Sequence, residues 1–394
     1  LFIINLLLQL DIKIIGVGIQ VGIYSADQVG HLHLCAATQQ HKHKNHDCQH
    51  HHRCAGDNGY GSDLIPLCFF LFLLAGCGKE ELGSNLSHAR VEVVFSPGGV
   101  GDQGYNDKIL RGLQQAAAQY GFTLAVHIPE AKEQGIRIYE EWLAAALSDE
   151  CSRSLFVFSG NEYEYLLKEL TLPEDSRKDV LMFETDRQRE GIYTFSVGCY
   201  AASYLAGAAS VWDNDGEEQK ALVIAANPHD PQVKRAVDGY RDGYLAAGGD
   251  GCDVHYLSDA PDGGYRMPDE AYRYCMEHGG NYLYYFSAAG ASNKGVYRFS
   301  REKMELAVGM DDDMSLFSFL INISVVKHMD RAVADVLRAL LMNRHIPYHQ
   351  KFTYSSGYEE LVYSEEVTED LFLDISDIRN RIVEIEQRYE EANQ

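Results

Sequence analysis

The chain has 394 residues, more than one hydrophobic core ordinarily supports, so two lobes and an additional segment are expected. Charged residues make up 23% and apolar residues 46%, which excludes both a disordered chain and a multi-pass membrane protein. The net charge is −24, and because residues 1–76 hold four Lys/Arg against five Asp, nearly all of it lies downstream; this excludes a nucleic-acid partner, which needs clustered Lys and Arg.

Residues 1–60 carry half of the 16 histidines, beside Cys35, Cys48 and Cys54. No ligand spacing there defines one closed tetrahedral metal site. The segment 1–63 therefore reads as a non-native or disordered His-rich extension, translated from a start upstream of the native one, with a zinc- or copper-binding extension as the alternative. Residues 64–76 form an apolar run too short to span a bilayer and right for a signal-peptide core, although the nearest upstream positive charge is Arg53. Leu74-Ala75-Gly76-Cys77 closes that run and resembles the lipobox of bacterial lipoproteins. The resemblance implies diacylation of the Cys77 thiol, residues 78–89 as a linker, and a mature chain outside the cytoplasm, anchored to a bacterial membrane by lipid.

From Arg90 onward, short β-branched and aromatic runs alternate with stretches of helical period. Strands are expected at 91–95, 123–128, 154–158, 180–184, 192–197, 221–226, 253–257, 282–286 and 305–310. Most are near-continuous apolar runs, as strands covered on both faces of a parallel sheet are. Ile109, Leu110, Leu113, Ala116, Ala117 and Tyr120 share one helical face; Tyr204, Leu205, Ala208, Ala209 and Trp212 share another. Repeated β-α-β order implies an α/β fold of two doubly wound parallel-sheet lobes joined by a hinge, with ligands bound beyond the carboxyl ends of the strands. The expected boundaries are 90–196 plus about 321–342 for lobe 1, 197–316 plus about 343–370 for lobe 2, and a terminal helix at 371–394. In that helix Ile375, Ile378, Ile382, Val383 and Ile385 recur among charges. Cys151, Cys199, Cys252 and Cys275 are widely separated, mostly inside apolar runs, and read as buried free thiols.

The turn from Ser96 to Asp107 holds four glycines, which permit close approach of a ligand. No Lys-Ser/Thr pair follows, so a P-loop is excluded; a dinucleotide fingerprint is excluded as well, the turn being read as lacking Gly-x-Gly-x-x-Gly, and no cofactor is implied. Asp102 and Asn106, four positions apart at a helix start, combine an acceptor and a donor for vicinal hydroxyls or a base edge, in bonds that contribute about 1.5–3 kcal/mol each. Tyr105 adds an aromatic face. Capping of the helix by Asp102 or Asn106 is the other reading of this turn. Asp311-Asp312-Asp313 ends an apolar strand and, taken alone, reads as a solvated acidic turn or a divalent-metal site; Lys327 taken alone reads as a surface lysine.

Together, Gly-Asp-x-x-x-Asn at 101–106, Tyr204-Leu205-Ala206-Gly207, Ala288-Ala289-Gly290, Ala307 to Asp313 and Ser324-Val325-Val326-Lys327 form an ordered set. The set resembles the basic membrane protein family of nucleoside-binding lipoproteins, substrate-binding components of ABC-type uptake systems, over about residues 90–345. The resemblance implies the type I periplasmic binding protein fold, and ligand capture without catalysis or a metal. It implies that Asp102, Tyr105 and Asn106 contact ligand from the first lobe, with Gly160 and Asn161 on the same wall. Facing them would be Gly290, Asp311, Asp313 and Lys327, with Asp311 taking ribose hydroxyls and Lys327 as its companion cation. The chain departs from the family at Ala236, where many members carry an aromatic three residues before the Gly of the second-lobe helix, here Gly239; one stacking partner for a purine is thus missing. Residues beyond about 350 have no match in the family. The implied function is capture of a small polar ligand, a nucleoside, for an ABC-type permease. A ligand-sensing lipoprotein without a transport role and a nucleoside hydrolase are the alternatives, but no nucleophile elbow, His-Glu helix or metal constellation supports hydrolysis.

Overall fold

The apolar runs fold into two six-stranded sheets. In the computed structural model the described residues are 86–97, 99–148, 153–212, 220–364 and 375–393, all within one unit, 79–394. The expected His-rich extension, the signal core, the lipobox with Cys77, most of the linker, and Cys151 lie outside the described residues.

The first sheet holds β1 (Arg90–Val94), β2 (Thr123–His127), β3 (Ser154–Phe158), β4 (Lys178–Phe183), β5 (Tyr193–Val197) and β11 (His349–Phe352), in the order β11-β5-β4-β3-β1-β2. The second holds β6 (Lys220–Ala225), β7 (Gly251–Tyr256), β8 (Tyr282–Ala288), β9 (Leu306–Asp311), β10 (Ile323–Lys327) and β12 (Glu359–Tyr363), in the order β12-β10-β9-β8-β6-β7. The first five strands of each lobe thus repeat one order. All strands pair in parallel except β12, which runs antiparallel to β10.

Helices cover both faces of each sheet, which is why the strands read as continuous apolar runs. In lobe 1, α1 (Tyr105–Tyr120) and α7 (Met329–Leu341) bury Ile109, Leu113, Val333 and Leu337 against Val91 and Val93. On the opposite face α2 (Lys132–Ser148) places Tyr139 and Trp142 against Val94, Phe156 and Phe158. In lobe 2, α3 (Tyr200–Trp212) and α4 (Pro231–Ala246) cover Val223 and Phe286. The other face packs Leu222, Ile224 and Tyr285 on α5 (Pro268–His278) and α6 (Asn293–Lys303). α3 and α4 approach so closely that a Cβ at Gly207 would lie 2.0 Å from the Tyr240 carbonyl oxygen, and one at Gly243 1.9 Å from that of Tyr204. The Tyr204-to-Gly207 motif therefore serves helix packing.

Among the described residues the chain crosses between lobes three times, near 198–199, at 328 and within 353–358. The crossings lie side by side: Gly198 N–H donates to the Phe352 carbonyl (2.7 Å) and His328 N–H to that of Tyr358 (2.8 Å). These crossings correct the expected boundaries. β10 belongs to the second sheet rather than to lobe 1, and β11 to the first rather than to lobe 2, while α7 packs on lobe 1 and β12 on lobe 2. Two crossings only about 25 residues apart carry no compositional mark, so contiguous blocks cannot describe this stretch.

Helix α8 (Ser376–Ala392) packs on lobe 2 through Ile382, with Ile375 just before it and Ile378 and Ile385 half-buried; Val383 faces solvent. Among the described cysteines, Cys199 and Cys275 are buried free thiols and Cys252 is a half-buried one.

Candidate functional site

The turns beyond the carboxyl ends of the two sheets face each other across a cavity of about 700 Å³. This lies within the roughly 300–1,000 Å³ of small-molecule sites. In lobe 1 the turns after β1 and β3 flank the point where successive strands leave in opposite directions, the place where such sheets bind ligands. Strand order also sets the sequence of groups along the cleft. Glu184 after β4 and Lys327 ending β10 close its hinge end, while Lys132 after β2 and Asp262 after β7 close its outer end.

At the hinge end, Lys327 and Glu184 form a buried ion pair. Glu184 also accepts from the Val197 N–H (3.0 Å). Burial opposes the Lys327 charge, but Glu184, Cys199 and Asp311 outweigh it and hold the ammonium above the usual lysine range. The Lys327 Nζ also lies 5.8 Å from the Tyr105 ring centre. Asp311 sits beside this pair with its carboxyl facing the cavity, and among the described residues no donor bonds that carboxyl. Its backbone carbonyl accepts from Lys108 (3.1 Å), across the lobes. Burial pushes the Asp311 carboxyl up to about 7; Lys327 and Lys108 oppose the shift, whereas Asp102 and Glu184 add to it. Both Asp311 (φ 74°) and Glu184 (φ 56°) occupy left-handed backbone, a strained conformation found here at two cavity-lining charges.

The Asp102 carboxylate accepts from the N–H groups of Gly104 (3.0 Å), Asn106 (2.9 Å) and Asp107 (3.2 Å) and from Asn106 Nδ2 (2.9 Å). Those four bonds fill the acceptor capacity of a carboxylate, so the capping reading describes Asp102: it holds the start of α1 and leaves ligand contact to its neighbours. Because Asp102 only accepts, it fixes the orientation of the Asn106 amide. Asn106 Oδ1 is left buried and unpartnered on the cavity wall. Gly99, Gly101 and Gly104 do meet the Gly-x-Gly-x-x-Gly spacing, which corrects the reading that the turn lacks it. The amides that would cradle a pyrophosphate are already taken, by Asp102 as above and by Asp107, which accepts from Gly101 and Gln103.

Toward the outer end, Asp230 caps α4 by accepting from the Gln232 and Val233 N–H groups, and the Tyr265 hydroxyl donates to its other oxygen. Asn227 braces the same turn, accepting from His229 and Asp230 and donating to the Gly263 carbonyl. Contacts across the mouth hold the lobes together: Lys132 to Asp262 (3.1 Å), Lys294 to the Gly101 carbonyl (2.6 Å), and Lys108 (3.1 Å) and Arg111 (3.4 Å) to Asp312.

Solved structures share this two-lobed architecture. They include a transcriptional activator of the comK gene from Bacillus halodurans (19% identity, TM-score 0.60, covering 74% of this chain and 97% of that one). A solute-binding protein of an ABC transporter system from Aeropyrum pernix K1 is 19% identical (TM-score 0.59, 77% and 92%), and an ABC transporter solute-binding protein from Burkholderia graminis in complex with D-arabinose is 14% identical (TM-score 0.54, 72% and 98%). The fold is that of a type I periplasmic binding protein. No protein-family model and no curated protein sequence matches the chain.

Within this type I periplasmic binding protein fold, Asp102, Tyr105, Asn106, Gly160, Asn161, Gly290, Asp311 and Lys327 all line the one cavity. Asp313 does not; its carboxylate is turned to the Ser315 N–H (3.0 Å) in the loop behind. Lys327 is bonded to Glu184 rather than to Asp311, and the Tyr105 hydroxyl donates to the Ser159 carbonyl (3.0 Å). Ala236 is fully buried on the cavity wall, and Tyr265 brings a second aromatic there. Glu162, Glu184, Asp230 and Tyr265 escaped the sequence reading. Each follows a strand, yet only Asp230, placed before Pro231 as a helix cap, carries a local signal.

Proposed function

We propose that the chain is an extracytoplasmic solute-binding lipoprotein, anchored through Cys77, that captures a nucleoside between its lobes and delivers it to an ABC-type permease. One observation carries the reading: a cavity between the two lobes faced by Asn106 Oδ1, buried and without a partner, and by the Asp311 carboxyl, which no described donor bonds. Buried polar groups in native proteins are almost always matched, so these await a ligand that brings hydroxyl or N–H groups. The Ser-Val-Val-Lys and Gly-Asp-x-x-x-Asn motifs, and solved solute-binding proteins of the same fold, support uptake as the role. A monosaccharide is the second reading, because the Burkholderia graminis protein of this fold was solved with D-arabinose and a sugar shares the vicinal hydroxyls of ribose.

The test is ligand-induced thermal stabilisation with guanosine, adenosine, inosine, uridine, D-ribose and D-arabinose. Ligand that binds only the folded state stabilises it by mass action. A nucleoside is expected to raise the melting temperature of the wild type and to leave Asp311→Asn unmoved. A shift with free sugars alone transfers the reading to sugar capture, and conversion of a bound nucleoside to base and ribose on a chromatogram replaces binding by hydrolysis. Silence with every compound refutes capture of this class of ligand.

A further inference from the structure

Toward the outer part of the cleft, buried acceptors outnumber the donors available to them. Glu162 Oε1 and Gln232 Oε1 line the cavity wall, buried and without a hydrogen-bond partner. Glu162 reaches this position by folding back over Gly160, where a Cβ would lie 2.2 Å from Glu162 Oε2 and 2.7 Å from Ser96 Oγ and would displace both from this arrangement. The Ser96 hydroxyl hydrogen-bonds the Glu162 carboxyl, which leaves Oε1 to be matched from elsewhere. The cations on the wall do not match it: Lys132 pairs with Asp262, Lys327 with Glu184, and Arg266 is exposed at the mouth. Burial accordingly lifts the Glu162 carboxyl above the usual range despite the Ser96 bond, and Asp230 and Asp262 add to the shift. The opposite end of the cavity, around Asp311, is the one suited to hydroxyls.

We propose that Glu162 reads the base: it accepts from an exocyclic amino group of a purine, so the cleft takes an amino-purine nucleoside in preference to the same nucleoside lacking that group. This rests on the nucleoside reading above. Tyr105 and Tyr265 both line the cavity and offer aromatic faces to such a ring, and the small Ala236 leaves room for it. A charge-assisted hydrogen bond gives a discrimination of about tenfold or more.

The experiment is calorimetric titration of the purified protein with guanosine, adenosine and inosine, repeated on Glu162→Gln. Guanosine differs from inosine only by its 2-amino group, and adenosine carries its amino group in place of the inosine 6-oxygen. The expected result is at least one amino nucleoside bound about tenfold or more tighter than inosine by the wild type, with the ratio falling below about threefold in Glu162→Gln. Inosine affinity should stay within about threefold of wild type in the variant, which also reports an intact fold. Equal wild-type affinities, an unchanged ratio in the variant, or an equal loss of all three ligands each overturn the assignment while leaving nucleoside capture standing. Failure of the wild type to bind any of the three removes both.

Discussion

Replacing Asp311 with Asn should stabilise the ligand-free protein at neutral and alkaline pH while destroying its binding. The carboxyl is 8% exposed, has no donor among the described residues, and is pushed by burial to about 7. In an unfolded chain the same group titrates near ~3.9. Between those two values the folded protein holds a proton that the unfolded chain has released, so stability falls as pH rises through that window and levels off above about 7. Three units at about 1.4 kcal/mol each give a cost of about 4 kcal/mol, an upper figure because the cavity admits water. Asn keeps the shape and removes the ionisation. Urea unfolding followed at pH 4, 6 and 8 should show wild type and Asp311→Asn nearly equal at pH 4 and increasingly separated in favour of the variant toward pH 8. A variant that is less stable than wild type at pH 8, or a gap that does not change with pH, would refute the claim that Asp311 is held ionised at a cost.

Under the proposed function the same group should set the pH dependence of capture. Hydroxyls that donate to the Asp311 carboxylate require it ionised, so affinity measured by calorimetry should be flat above about pH 7.5 and weaken toward tenfold per unit below about pH 6.5. An affinity that improves on acidification would instead make protonated Asp311 a donor. At the hinge end, Lys327→Met leaves Glu184 buried without its cation and should cost about 3–5 kcal/mol in chemical denaturation, much of it recovered when Glu184→Gln is added. Additive losses in the double variant would contradict a direct pair.

Among the described residues nine of the twelve strands announce themselves, the inner ones because strands sheathed by helices on both faces are apolar throughout, the half-buried edge strands β2 and β7 through their β-branched and aromatic residues. β11, His-Gln-Lys-Phe, is a half-buried edge strand with no apolar run, and β12 pairs antiparallel at the other edge with two glutamates at its start. β10 was visible only as Ser-Val-Val-Lys, the last four of its five residues, ending in a charge. With these three unread, the lobe assignments after 320 could not follow a chain that crosses the hinge at 328 and again at 353–358. The first-lobe turn was legible because glycines and a helix start bracket it. Its roles within were not: Asp102 turned inward to four amides and left the unpartnered acceptor to Asn106, a choice made by hydrogen bonding in three dimensions. Glu184 was illegible for a similar reason. Its partner is 143 residues away, and nothing in the local sequence marks a glutamate after a strand as the counter-charge of a distant lysine.

The contacts across the mouth of the cleft differ in kind from those at its base. Lys132, Arg111 and Asp262 remain substantially exposed, and ion pairs of that sort contribute under about 1 kcal/mol each, less at high salt. Lys108, by contrast, is buried and reaches across the lobes to the Asp311 carbonyl and to Asp312, both at 3.1 Å, so this contact is screened least. Under the proposed function, a ligand that bridges Asp311 to the opposite wall adds to these contacts, so the residence time of a captured molecule depends on that molecule. A compound that satisfies only one wall leaves as fast as the lobes part, and discrimination among similar solutes is expressed in how quickly each is lost.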